Sequence, residues 1–262
     1  VLKRHQFGAT FGGPIWIPKI VNGKDRFFFF AGYQGQRLSQ AQTTAAITVF
    51  TPDELRGNFS RSNAARTGPD AGVVSFLQRF PYFQADAALA AQGIIDPARI
   101  NTVAKNYISA GLIPTAAGGS LISRSAAKND NDELTLKFDF NLSPNDKITA
   151  TLGWLDNPQL IPFTAEANVS GFPVTTKNRR YFSNFAYTKI FSPTLLNDFR
   201  FTAQRNNNLQ SVPARELPKP ADLGIGITPD NPTGPTQIAF GNGLTLGFSR
   251  GGPTNLIDNT FG

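Results

Sequence analysis

The chain has 262 residues, with no cysteine, no methionine and a single histidine, and its formal net charge is +7. The missing cysteines exclude a disulfide framework, a thiolate metal site and a cysteine nucleophile, and one histidine is too few for an ordinary zinc site. The basic residues are scattered, with no run longer than Arg179-Arg180, so we expect neither a nucleic-acid partner nor any cofactor.

Two apolar stretches near the amino terminus predict strands over residues 5–15 and 26–38. The segment between them contains Asn22-Gly23, a turn signal. The second stretch places four phenylalanines, Phe27 to Phe30, in a row. Such a run suits a buried strand of a soluble protein, and it equally suits a strand that ends at the edge of a bilayer.

The connection that follows, residues 39–131, is too long for a structureless loop in a compact domain. Within it, residues 51–60 predict a helical turn closed by Gly57, and residues 96–111 predict a short helix. A further short segment is expected within residues 71–93.

The clearest alternation of apolar and polar residues predicts a hairpin of strands 132–142 and 147–156. A second, less regular hairpin follows over residues 178–191 and 195–209, and another strand begins in 256–262. The remaining connections are 157–177 and 210–255, and the second of these is too rich in proline for regular structure through most of its length.

Short and long connections alternate along the chain without exception. One end of the predicted sheet therefore has tight turns and the other has large loops, as in a transmembrane barrel. The predicted strands, at about 10 to 15 residues, are also longer than the soluble average of about 5 to 6 and long enough to cross a bilayer.

The positions of the aromatic residues favour a membrane. Trp154 and Tyr181 are predicted near the loop ends of their strands, whereas Phe140, Phe191 and the Phe27 to Phe30 run lie near the turn ends. Aromatic girdles at both interfaces are typical of membrane barrels. We therefore expect an all-β fold whose antiparallel up-and-down strands form part of a transmembrane β-barrel, with long loops carrying short helices. The alternative is a secreted or surface-attached β-sandwich adhesin, whose apolar face would meet a second sheet.

Two motifs could carry chemistry. Residues 247–251, GFSRG, match the nucleophile elbow G-x-S-x-G, but Gly252-Pro253 opposes the helix that must follow Ser249, and the one histidine, His5, precedes it in the chain. The run Asn129 to Glu133 offers oxygen ligands for calcium but lacks the spaced glycine and distal glutamate of a calcium loop. We expect a solvated junction between loop and strand there, and neither a catalytic nor a metal-binding residue in the chain.

Five segments, in the same order, resemble the TonB-dependent outer-membrane receptors of the Oar-like type. The first is HQFGATFGGPIWIPKIVNGKDRFFFFAGYQGQR, which is similar to the segment that follows the plug in that family. The others are residues 48–60, 96–115, 129–154 and 191–205. Asn58 stands where that family often has aspartate, and Phe140 where it often has histidine.

The resemblance implies a 22-stranded barrel in the outer membrane of a Gram-negative bacterium. A plug domain of the same chain would fill it, and a TonB complex of the inner membrane would energise uptake of a scarce nutrient. The ligand class stays open between siderophore, carbohydrate and peptide, and the ligand-binding residues are unknown. The chain starts without methionine and ends within a predicted strand, so we expect it to be a piece of a longer protein.

In this interpretation the polar faces of the strands line the interior and contact the plug, while loops 39–131 and 210–255 close over the ligand. The apolar faces contact outer-membrane lipid. The expected interior residues are Lys137, Asp139, Arg180, Asn184, Arg200 and Gln204.

Overall fold

A computed structural model describes residues 1–17, 21–226, 233–248 and 253–262 of the chain. Its main feature is one sheet of seven long strands. They are β1 (Leu2–Pro14), β2 (Phe27–Thr43), β3 (Arg124–Ser143), β4 (Asp146–Ile161), β5 (Val174–Ser192), β6 (Leu195–Pro213) and β7 (Thr254–Phe261).

Each strand pairs antiparallel with the strand that follows it in the chain, so the order in the sheet is the order in the sequence. This confirms the predicted up-and-down sheet. Tight turns link β3 to β4 and β5 to β6 at one end. The connections 44–123, 162–173 and 214–253 all leave from the other end, which we call the loop end.

The strands are longer than the sequence pattern predicted, and most of the extra length is at the loop end. For example, β3 begins at Arg124 rather than at residue 132, and β5 begins at Val174 rather than at residue 178. Apart from Val174 these extensions contain only polar residues and alanine, so the alternation that marks a strand in the sequence is missing there. The predicted loops are correspondingly too long.

The register places most of the apolar positions of the two predicted hairpins on a common face. Phe138 pairs with Ala150, Ala150 with Phe185, and Phe185 with Phe201. Paired residues of an antiparallel sheet project to the same side, and neighbours along a strand project to opposite sides. Hence the sheet has one apolar face and one polar face.

The three long connections fold together into a second unit, which we call the loop body (residues 44–123, 162–173, 214–226 and 233–248). It contains short helices: α1 (Pro52–Leu55), α2 (Ala71–Arg79), α3 (Ala87–Ala91) and α4 (Thr102–Ser109). Single turns of 3₁₀ helix lie at Pro81–Phe83, Pro97–Arg99 and Ala221–Leu223. Pairs of two-residue strands complete it, Ile47–Thr48 with Ser120–Leu121 and Ile238–Ala239 with Thr245–Leu246. None of the helices that the described residues form is long and apolar enough to cross a membrane.

The predicted helical turn at residues 51–60 is α1. Thr51 and Glu54 form a capping box at its start, and Gly57, with φ of 88°, follows its end. The predicted helix at 96–111 is instead divided into a 3₁₀ turn and α4, because the Asn101 side chain accepts a hydrogen bond from the Val103 amide and caps a new helix.

The buried hydrophobic core lies in the loop body, and the sheet adds only Val174, the first residue of β5. All three connections contribute to it, so distant parts of the sequence share one core. Polar contacts also join them: the Asn106 amide donates to the Leu223 carbonyl at 3.2 Å, and the Asn168 amide donates to the Gly243 carbonyl at 2.8 Å. The buried residues are Val49, Tyr107, Leu112, Ala167, Val169, Phe172, Val174, Leu223, Leu244, Leu246 and Phe248.

We predict that Leu246→Ala loosens the loop body and leaves the sheet intact. Leu246 is fully buried, and such a truncation typically costs about 2–5 kcal/mol. Protease added to intact cells should cut the loop body of the variant faster than that of the natural protein. The heat-modifiable gel mobility of the protein, which reports a folded sheet, should stay the same. Leu152→Ala, at an exposed leucine of the apolar face, is the matched control and should not change the cleavage rate.

Candidate functional site

The apolar face is a continuous band that crosses β2 to β6 in four successive rows. Starting from the turn end, the rows of β3, β4, β5 and β6 side chains are Phe140, Ile148, Tyr187 and Phe199; then Phe138, Ala150, Phe185 and Phe201; then Leu136, Leu152, Ser183 and Ala203; then Leu134, Trp154, Tyr181 and Arg205. On β2 the band includes Phe27, Phe29, Ala31 and Tyr33. Phe27 and Phe140 pack with ring centroids 5.4 Å apart.

Charged residues bound this band at both ends on the same face. At the loop end, Arg37 pairs with Asp132 at 2.8 Å, and Arg179 pairs with Asp156 at 3.0 Å. At the turn end, Lys189 pairs with Asp146 at 2.6 Å.

A tyrosine of the band anchors to a carboxylate at each boundary. The Tyr33 hydroxyl donates to Asp132 at 2.6 Å, and the Tyr187 hydroxyl donates to Asp146 at 2.8 Å. An apolar ring with a polar tip suits the interface between hydrocarbon and water. Asp132 and Asp146 were not predicted from the sequence as boundary residues, because each contacts its tyrosine from a different strand.

The height of the band matches a bilayer. Asp146 and Asp156 are ten residues apart on β4, which corresponds to about 33 Å along the strand at about 3.3 Å per residue. With the strand tilt of about 35–45° that is typical of membrane barrels, this length spans about 25 Å, the usual height of their apolar band. Trp154 therefore lies at the edge of the hydrocarbon but not at the end of its strand, because β4 continues to Ile161.

The apolar face is exposed. Phe199 is 54% exposed and Phe201 is 44% exposed, and in the described part of the chain no second sheet packs on them. A β-sandwich would bury these side chains between two sheets. The alternative fold considered from the sequence is therefore wrong, and the band faces a different apolar medium.

The opposite face of the sheet is polar and carries all six expected interior residues. Lys137 pairs with Asp139 at 3.1 Å, and Asp139 also accepts a hydrogen bond from Thr149 at 2.9 Å. The other four, Arg180, Asn184, Arg200 and Gln204, project to the same side as these residues. Their partners are polar as well: Arg180 donates to Asn206 at 3.1 Å, Thr202 donates to Asn184 at 2.8 Å, and Arg200 donates to Asp198 at 3.0 Å.

Three phenylalanines interrupt the polar face. Phe28 and Phe30 project to it because alternate residues of the Phe27 to Phe30 run point to opposite sides. Phe182 on β5 lies over Gly153 on the neighbouring strand β4. Any side chain added at Gly153 would overlap the Phe182 ring. An aromatic ring that covers a glycine stabilises a curved sheet. Phe182 is one reason why the alternation in residues 178–191 is less regular, and its role is visible only from the glycine on the neighbouring strand.

A charged cluster stabilises the start of the loop body. Glu54 is only 8% exposed, and it accepts hydrogen bonds from the Thr51 amide at 2.7 Å, from the Ser62 hydroxyl and from the Arg66 guanidinium. Burial raises the pKa of Glu54, but these three donors outweigh burial and hold it below its usual value of 4.5. A polar cavity of about 620 Å³ opens beside this cluster, lined by Ser60, Arg61 and Arg66 among others.

The other motifs form no site in the described residues. Asn129 to Glu133 lie inside β3, not at a junction between loop and strand, and their side chains alternate between the two faces. No group of three or more potential metal ligands occurs in the described part of the chain. Ser249 lies outside the described residues, and His5 is on β1.

A charge in the middle of the band should destabilise the protein much more than the same charge on the opposite face. We predict that Leu152→Arg reduces the free energy of folding into lipid vesicles by about 2–4 kcal/mol, because its guanidinium is placed near the middle of the hydrocarbon. Thr151→Arg, on the adjacent residue of the polar face, is the matched control and should cost much less. Urea titration in vesicles measures both, and equal losses would contradict the assignment of the faces.

We also predict that acid loosens residues 51–66. Because the pKa of Glu54 is lower in the folded protein than in the unfolded chain, its stabilisation is complete above about pH 4.5 and is lost as the pH falls through the folded value. Amide exchange, corrected for its intrinsic pH dependence, should show less protection of 51–66 at about pH 3 than at about pH 6. Glu54→Gln should abolish this difference, and α4, capped by the non-titrating Asn101, is the internal control.

Comparison with known families agrees with this geometry. The family model described as outer membrane beta barrel domain matches residues 1–262, the whole chain. Searches of curated proteins and of solved structures give no match. The exposed apolar band, the aromatic boundaries and the up-and-down sheet are the features that a barrel of this membrane requires. The chain therefore belongs to the outer membrane beta barrel domain family, and its location is the outer membrane.

Proposed function

We propose that this chain is the barrel segment of a TonB-dependent transporter that takes up a scarce nutrient across the outer membrane. The observation that carries the proposal is the loop body, in which three connections share one buried core on the outer end of the strands. Simple surface loops would not need a common core. An ordered body at the mouth of a barrel is suited to the capture of a ligand.

The resemblance of five ordered segments to TonB-dependent receptors of the Oar-like type supports the same proposal. It adds a plug domain as the partner of the polar face. The ion pair of Lys137 with Asp139 and the exposed guanidinium of Arg200 offer both signs of charge to such a plug. Hydrogen-bonding groups on strands are suited to this role because the sheet holds them in fixed positions.

In the proposed mechanism these residues are a passive scaffold. The loop body captures the nutrient outside, the polar face holds the plug, and the TonB complex of the inner membrane supplies the energy that moves the plug. The apolar band anchors the barrel in lipid. No residue of the chain forms a covalent bond with the nutrient in this proposal, and the absence of an enzymatic activity stays a prediction.

Uptake measurements test the proposal. Three strains are compared on a panel of ferric siderophores, maltodextrins and peptides: one with the natural gene, one without it, and one without the TonB complex. We expect uptake of at least one compound to be lost in both deletion strains. Uptake that needs the gene but not the TonB complex would contradict TonB dependence, and a panel without any difference would contradict nutrient uptake.

Variants of the chain connect that uptake to the loop body. Leu246→Ala, which opens the shared core, should reduce uptake of the compound that the panel identifies. Leu152→Ala serves again as the control, because it makes the same truncation on the lipid-facing side. Immunoblots of outer-membrane fractions establish that both variants reach the membrane in equal amounts.

A further inference from the structure

The lipid-facing band contains a groove of about 500 Å³ that crosses β4, β5 and β6 and is bordered by β3 and β7. Ser183 and Ala203 are paired neighbours at its floor. Larger side chains surround them, namely those of Leu152, Trp154 and Tyr181 on adjoining strands and Phe261 on β7. The groove is therefore a depression in the apolar surface, produced by two small residues within a belt of large ones.

The groove lies in the outer half of the bilayer. The middle of the band, halfway between the charged residues Asp146 and Asp156, is at Thr151. On β4 the groove extends from Leu152 to Trp154, toward the loop end. The long loops of outer-membrane barrels are on the outside of the cell. A molecule in this groove would consequently belong to the outer leaflet.

Positive charge is concentrated at the loop end of the groove. Arg205 lines the groove and is exposed. Arg179 and Lys177 lie on the same face as Tyr181 and nearer the loop end. Both form ion pairs with the carboxylate of Asp156, at 3.0 and 3.3 Å. Arg37 and Asp132 pair with each other on the same face, so these ion pairs and Arg205 bring four cations together with two carboxylates, and positive charge is in excess. At the turn end of the same strands, Lys189 and Asp146 form a balanced pair.

We propose that this groove binds an anionic lipid of the outer leaflet, with an acyl chain along Ser183 and Ala203 and a phosphate at Arg205 and Arg179. An acyl chain fits the apolar floor, and a phosphate suits guanidinium donors, which hydrogen-bond two of its oxygens at once. Trp154 and Tyr181 lie level with Arg205, at the depth where aromatic side chains meet headgroups. The occupant is a lipid and not a soluble anion, because the apolar part of the groove opens to the hydrocarbon.

Native mass spectrometry of the natural outer-membrane protein tests the proposal. The protein is released from nanodiscs of phosphatidylcholine that contain a small share of a bisphosphorylated, acylated glucosamine disaccharide. Parallel samples contain the same glycolipid without phosphates. We expect the unaltered protein to retain the phosphorylated lipid and to retain the phosphate-free form about tenfold less.

Two variants, each with a matched control, test where the lipid binds. Ala203→Phe fills the floor and should abolish retention, whereas Ala150→Phe, on the same face outside the groove, should not. Arg205→Gln should weaken retention about tenfold. Lys189→Gln removes one cation from the opposite rim of the same face and should have little effect. Heat-modifiable mobility shows which variants fold, and Ser183→Leu replaces Ala203→Phe if that variant does not.

Four results would overturn the proposal. They are no retention by the unaltered protein, equal retention of the phosphate-free lipid, retention that survives filling of the floor, and equal effects of Arg205→Gln and Lys189→Gln. Retention that follows phosphate, floor and Arg205 together supports it.

Discussion

The structure depends on one constraint: a strand that crosses hydrocarbon must pair all its backbone groups within the sheet and must present apolar side chains to the lipid. The register of β3, β4, β5 and β6 meets both requirements, because it brings most of their apolar positions onto one face as a continuous band. A slip by one residue would exchange the faces. It would place Lys137 and Asp139 in the hydrocarbon and the phenylalanines in the interior, so the lipid itself selects the register.

Two different media then stabilise the two parts of the molecule. In the loop body the apolar side chains bury each other, as in a soluble domain, with Leu244 and Leu246 fully buried. In the sheet the large apolar residues remain exposed to the bilayer, and Phe11 is 72% exposed. The contacts between strands consequently come from backbone hydrogen bonds and from cross-strand pairs such as Phe27 with Phe140. The loop body depends on its core, whereas the sheet depends on lipid.

The sequence predicted the sheet well because lipid on one side and water on the other impose a strict alternation, which is local information. The strand ends were missed because both sides of β3 near Lys128 meet water, and there the alternation stops. The loop core was missed for a different reason. Tyr107, Phe172 and Leu246 pack together from three separate connections, and no local pattern records contacts between distant segments. The shared face of residues such as Lys137 and Arg200 was predicted correctly because it follows from strand parity alone.

The small residues of the sheet show where the protein fills its own surface and where it does not. At Gly35 the Phe7 ring occupies the space of a side chain, with Cζ 2.5 Å from the position of a Cβ, and at Gly153 the Phe182 ring does the same on the other face. At both glycines, therefore, an aromatic ring from a neighbouring strand fills the space left by the missing side chain. The gap at Ser183 and Ala203 has large neighbours, yet none of them covers it. Because an empty apolar gap forfeits dispersion contacts, a gap that faces hydrocarbon is filled by the bilayer, and the shape of the protein surface there is complementary to lipid.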